Sequence, residues 1–86
     1  MKKFNIGDLV IVRSRFFYLF EERTKVAITK RIGDIGVVID YIDFETPAGL
    51  ETKTYRVKFF NDENFYVLHP FSRWDGLKKL ENVTSQ

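Results

Sequence analysis

The stretch Thr54-Tyr55-Arg56-Val57-Lys58-Phe59 alternates apolar and polar residues with a period of two. That period belongs to a pleated strand with one face buried. Tyr55, Val57 and Phe59 are predicted to face a core, with Thr54, Arg56 and Lys58 on the other face. A strand needs partners, and the flanking sequence supplies them. Upstream, residues 32–42 (Ile-Gly-Asp-Ile-Gly-Val-Val-Ile-Asp-Tyr-Ile) read as the longest strand, with Ile35, Val37, Ile39 and Tyr41 sharing one face. Gly33 and Gly36 near its start suit a bulge or sharp bend. Residues 43–53 form the hairpin tip, because Pro47 cannot donate to a ladder. Downstream, Asn61-Asp62-Glu63-Asn64 is turn chemistry, and Phe65 to Leu68 is a further strand stopped by His69-Pro70.

Working outward, Gly7-Asp8 introduces a strand from Leu9 to Arg13. Residues 14–30 begin with the aromatic burst Phe16-Phe17-Tyr18-Leu19-Phe20 and continue into polar residues; they read as a long, partly ordered early loop, with a short helix as the alternative. Ser72 to Gly76 reads as one capped helical turn, in which Ser72 accepts from the Asp75 amide and Gly76 permits the exit. Leu77 to Val83 closes the chain as a last strand. The prediction is an all-β, five-stranded antiparallel barrel spanning residues 1–86 as one domain, with an ordered core of about residues 5–83.

Eighty-six residues bury only about 60–65% of the surface their unfolded chain exposes, leaving stability on the order of 5–10 kcal/mol. Nine Phe, four Tyr and one Trp compensate, each able to bury roughly 150–250 Å². The chain has no cysteine, which excludes a thiol nucleophile and a Cys-based metal site and agrees with a reducing cytoplasm. The longest purely apolar run, Leu9-Val10-Ile11-Val12, is far short of a membrane span. The basic start Met1-Lys2-Lys3 is followed by no apolar signal region, so a cytoplasmic location is expected. The net charge of +2 is unevenly spread. Residues 1–31 carry eight basic and three acidic groups, residues 32–51 five acidic and no basic ones. Such a dipolar chain favours oriented docking.

Gly7-Asp8-x-Val10, Gly33-x-x-Gly36-x-Val38, Tyr55-x-Val57-x-Phe59 and Trp74-Asp75-x-Leu77-x-x-Leu80 together resemble the pattern of SH3-like small β-barrels. The layout is similar to mind-bomb-type barrels, with Phe59-Phe60-Asn61-Asp62 at the turn and Trp74-Asp75-Gly76-Leu77 at the ending. It also looks like the electron-transfer accessory barrels, such as the variable subunit of ferredoxin–thioredoxin reductase. The resemblance spans most of the chain, but its motifs are structural. It departs from the pattern in the early aromatic cluster and in Asp62 or Glu63 replacing a turn glycine. It implies a module that binds and catalyses nothing alone; one barrel serves many roles.

Catalytic chemistry is not in evidence. His69, the single histidine, has no carboxylate beside it in sequence to orient it as a base. Asp40-x-x-Asp43-x-Glu45 offers oxygen ligands but lacks the grammar of a dedicated Ca²⁺ loop, and reads as a solvated hairpin shoulder. Gly33-x-x-Gly36 lies inside a strand pattern, so it is no phosphate cradle. No cofactor, metal or catalytic residue is predicted.

Binding has more support. An extended segment cannot point Phe16, Phe17, Tyr18 and Phe20 into one core, because alternate residues face oppositely. Either that segment is helical or it plugs the barrel, or some rings are exposed for contact. Trp74 in the helical turn can serve as core or as contact, and Tyr66, alternating with Phe65, is a candidate for the outward face. The predicted partner-binding set is Arg13, Arg15, Phe17, Tyr18, Asn61, Tyr66, Phe71 and Trp74, with aromatic anchors and arginines steering an acidic partner. The expectation is a non-enzymatic accessory module docking on a larger protein, as monomer or homodimer. The Lys-, Ile-, Phe- and Asn-rich vocabulary fits a viral or mobile-element origin. The alternative is a nucleic-acid-binding barrel in which Arg13, Arg15, Arg23, Lys25, Lys30, Arg31, Arg56 and Lys58 form a basic face interleaved with stacking aromatics. The near balance of acids and bases weighs against it.

Overall fold

The computed structural model describes residues 4–14, 18–69 and 76–80. Seven strands form one antiparallel sheet: β1 (Leu9–Val12), β2 (Tyr18–Glu21), β3 (Ala27–Thr29), β4 (Ile35–Glu45), β5 (Glu51–Phe59), β6 (Phe65–Leu68) and β7 (Leu77–Lys79). Their spatial order is β3-β2-β6-β5-β4-β1-β7, so β3 and β7 are edges and the sheet is open. The all-β reading holds. The five expected strands are present as β1, β4, β5, β6 and β7, but two more exist and the sheet does not close into a barrel. Of the helical turn expected over Ser72 to Gly76, residues 72–75 lie outside the described residues, as does the end of the last strand beyond residue 80. No helix among the described residues is long and apolar enough to cross a membrane.

The two additional strands occupy the segment expected to be a loop. β2 and β3 pair as a hairpin, Leu19 opposite Ile28, and β2 then pairs with β6, Leu19 opposite Leu68. The intervening turn carries none of the Gly, Asn or Pro signals of a hairpin. Lys25 takes the left-handed conformation instead, at φ 61°, which costs a non-glycine residue on the order of 1 kcal/mol. The Glu21 carboxylate holds the turn by accepting the Thr24 amide at 3.0 Å and the Thr24 hydroxyl.

Tyr55, Val57 and Phe59 face the core as their alternation requires, each no more than 2% exposed. Around them pack Val10, Val12, Leu19, Val38, Leu68 and Leu77, with Ile28 of edge strand β3 against the same cluster. Residues from both edges reach one cluster, so the sheet curls around its concave face without hydrogen-bonded closure. The opposite face departs from expectation at Thr54, which is fully buried and donates its hydroxyl to the Leu68 carbonyl at 2.9 Å. A polar group taken out of water needs such a partner.

In β4 the residues predicted to share one face do not all share it: Ile35 and Val37 do, and Tyr41 does not. Gly36 and Val38 point inward, and Ile35 and Val37 are half-buried on the outer face. A register shift between Val38 and Asp40 inserts an extra residue. The alternation then changes phase, which returns Tyr41 to the core cluster. Gly36 is required by close approach. A Cβ there would stand 2.8 Å from the Lys58 carbonyl oxygen and 3.1 Å from the Phe59 ring. The hairpin tip is also tighter than predicted. β4 and β5 stay paired out to Glu45 opposite Glu51, and residues 46–50 close the turn. There the Thr46 amide donates to the Leu50 carbonyl at 2.9 Å, and Gly49 adopts φ 90°.

Candidate interaction face

Cross-strand registers place two rows of side chains on the outer, convex face of the sheet. The first row is Leu9, Val37, Lys58 and Phe65, contributed by β1, β4, β5 and β6. The second is Lys78, Ile11 and Ile35, from β7, β1 and β4, extended by Phe60, whose amide donates to the Ile35 carbonyl at 3.0 Å. Ile11, Ile35 and Val37 are half-buried, whereas Leu9 is 44% and Phe60 64% exposed. Ile32 stands exposed on the neighbouring turn, whose Gly33 amide bonds the Val12 carbonyl at 2.8 Å. The face is therefore apolar at its centre. Cations lie in and around it: Lys78 beside Ile11, Lys58 beside Val37, and Arg13 continuing the alternation of Leu9 and Ile11.

The cations differ in freedom. The Lys58 ammonium donates to the carbonyls of Phe59 (3.2 Å) and Asp62, tying it to the β5–β6 turn. Arg13 and Lys78 are exposed. At the far end of the first row, the Arg56 guanidinium lies 4.6 Å over the Phe65 ring and 2.6 Å from a Glu22 carboxylate oxygen. These residues line a surface cleft of about 460 Å³ with Glu21, Arg23, Glu63 and Asn64. In that cleft Arg56 pairs with Glu22, and Glu21 accepts from Thr24. Among the described residues, no group of three or more His, Asp or Glu side chains could hold a metal ion.

The residues predicted for binding scatter. Arg13 borders the apolar rows, and its amide donates to the Gly76 carbonyl at 2.7 Å. Asn61 follows Phe60 and donates its side-chain amide to Asp34 at 3.3 Å. Tyr18 is exposed but sits on β2, beyond β6, remote from the rows on β1 and β4. Arg15, Phe17, Phe71 and Trp74 lie outside the described residues. Tyr66 is corrected: it is only 4% exposed. Its ring meets Phe59 at 6.0 Å, and its hydroxyl donates to the Asp62 carboxylate. Burial, and then that carboxylate, push the tyrosine hydroxyl above its ordinary pKa. Alternation within β6 does hold, but Phe65 is its outward member, not Tyr66.

The aromatic burst divides in the same manner. Leu19 joins the main core, while Phe20 packs with Phe44 and Val67 in a second cluster on the other face. Phe20 stacks between the Phe44 ring at 5.6 Å and the His69 imidazole at 4.7 Å. Burial holds the His69 pKa below its usual value.

Leu9, Ile11, Ile35, Val37 and Phe60 were not among the residues predicted for binding. A signal existed: the unbroken run from Leu9 to Val12 is apolar on both faces of one strand, more than a single core requires. Comparison with protein-family models, curated proteins and solved structures found no match to this chain. The chemistry of the face must therefore speak for itself.

Proposed function

We propose that this chain is a non-enzymatic binding module that docks on a larger protein through the outer face of β1, β4 and β5. The observation that carries the reading is the pair of apolar rows ending in exposed Leu9 and Phe60, with Arg13, Lys58 and Lys78 among them. An aromatic anchor amid apolar neighbours with a charged rim is the composition of an interface centre. The cations favour an acidic partner. The succession β7-β1-β4-β5-β6 supports reading the fold as an SH3-like sheet to which a β2–β3 hairpin has been added. A cytoplasmic setting suits a chain without cysteine.

The test compares the wild-type chain with Phe60→Ser and Leu9→Ser variants in affinity capture, alongside a titration with mixed oligonucleotides at two salt concentrations. The reading expects one protein partner that both variants lose while keeping wild-type folding, and no appreciable oligonucleotide binding. Tight binding to oligonucleotides that weakens steeply with salt would replace it with the nucleic-acid reading.

A further inference from the structure

The β4–β5 hairpin runs past the ladders of its neighbours as a two-stranded arm, whose Phe44 packs on Phe20 and Val67. β1 pairs only with β4 residues 35–37, and β6 only with β5 residues 56–58. Beyond them the arm carries Asp40, Asp43, Glu45 and Glu51 against one cation of its own, Lys53, which lies 3.6 Å from Asp43, while Lys25 stands 5.4 Å over the Phe44 ring. Its tip presents Pro47, Ala48 and the 43% exposed Leu50, held by the Thr46 turn. It is an apolar knob in an acidic collar. The outer face is its counterpart, an apolar floor among cations. The two stand at opposite ends of β4, about 30 Å apart at strand rise, so a rigid arm cannot fold back onto its own floor.

We infer that the arm tip of one copy docks on the outer face of the next, making the chain self-associate head to tail. This rests on reading that face as a docking surface and takes a second copy of the chain as its occupant. Charge complementarity argues for that occupant: Glu45 and Glu51 meet Arg13 and Lys78, while Leu50 meets Phe60 and Leu9. The knob is small, so the contact falls among weak interfaces below about 1,200 Å². A heterologous contact of this kind extends as copies are added, into an open filament or, where the rotation closes, a ring.

Sedimentation velocity over increasing protein concentration tests it, with two exposed-site variants. Glu45→Lys disables the arm and Phe60→Asp disables the floor. The wild type is expected to gain mass with concentration and to lose that gain in high salt. Each variant alone stays monomeric, and an equimolar mixture forms a one-to-one dimer that grows no further, because only one arm and one floor remain competent. A wild type that stays monomeric at every concentration, or a Glu45→Lys variant that associates like wild type, overturns the inference. In either case, loss of partner capture by the floor variant but not the arm variant leaves the docking face standing and removes only self-association. Retention of capture by the floor variant removes both.

Discussion

The Lys30 ammonium lies 2.6 Å from the Asp62 carboxylate, joining the end of edge strand β3 to the turn between β5 and β6. β3 is hydrogen-bonded only to β2. The pair therefore fastens this edge strand to a turn beyond β2, where no ladder holds it. On the way, Lys30 Nζ passes 4.5 Å over the Tyr66 ring and 5.1 Å over the Phe59 ring. Asp62 also accepts the Tyr66 hydroxyl and the Asn64 amide (2.9 Å). Lys30 first, then these donors, hold the Asp62 carboxyl well below the usual carboxylate range.

Removing either end of this tether will loosen the β2–β3 hairpin. Asp62→Ala is expected to lower unfolding free energy by about 1–3 kcal/mol, since three donors lose a charged acceptor. Lys30→Met should couple to it by about 1 kcal/mol in a double-mutant cycle followed by urea unfolding. Strict additivity would mean that the pair does not fasten the edge strand.

Acid should destabilise the fold in two separate windows. His69 has a folded pKa below its unfolded value of about 6.5, so protons bind the unfolded chain first. Its contribution, present above that pH, falls away as the pH drops through its lowered folded value. Asp62 is likewise depressed, so its contribution persists down to about pH 4, the ordinary aspartate value, and is lost below it. Thermal melts from pH 8 to pH 2 should show both declines. His69→Phe should abolish only the upper one, and Asp62→Asn should shrink only the lower, which Glu21, also held low by its Thr24 bonds, shares.

Gly36→Ala is expected to cost about 1–3 kcal/mol by overpacking. The obstruction is the Lys58 backbone carbonyl, 2.8 Å from the new Cβ, and β5 cannot retreat without opening its ladder. Chemical denaturation measures the loss. A variant as stable as wild type would show that β4 and β5 can separate locally.

Glu45 stands directly opposite Glu51 across the arm. Like charges so placed destabilise a sheet, so Glu45→Lys should raise stability by about 0.2–1 kcal/mol at low salt and by less at high salt. A melt at two ionic strengths checks the sign. The substitution that strengthens the fold is the one expected to disable the arm, which separates stability from association.

Exposed Phe60 contributes little to folding. Phe60→Ser should change unfolding free energy by no more than about 0.5 kcal/mol while abolishing partner capture. A large loss of stability would place the ring in the core.

The sequence by itself determined the all-β class, the β5 facing and the position of β6. In each case the signal is local: a two-residue period over Tyr55, Val57 and Phe59, or a turn rich in Asn and Asp before Phe65. The tertiary structure decided what depends on neighbours distant in the chain. β2 and β3 form without turn residues because Leu19 and Ile28 gain a core built largely by other strands, and that burial outweighs the strain at Lys25. β4 does not keep one face from Ile35 to Tyr41, because the bulge after Val38 resets the phase before Tyr41. Tyr66 turns inward because Phe59 and Asp62 await it there. The candidate docking face was hidden for the same reason. Leu9, Ile35 and Phe60 lie far apart in sequence, and only register brings such residues into adjacent rows.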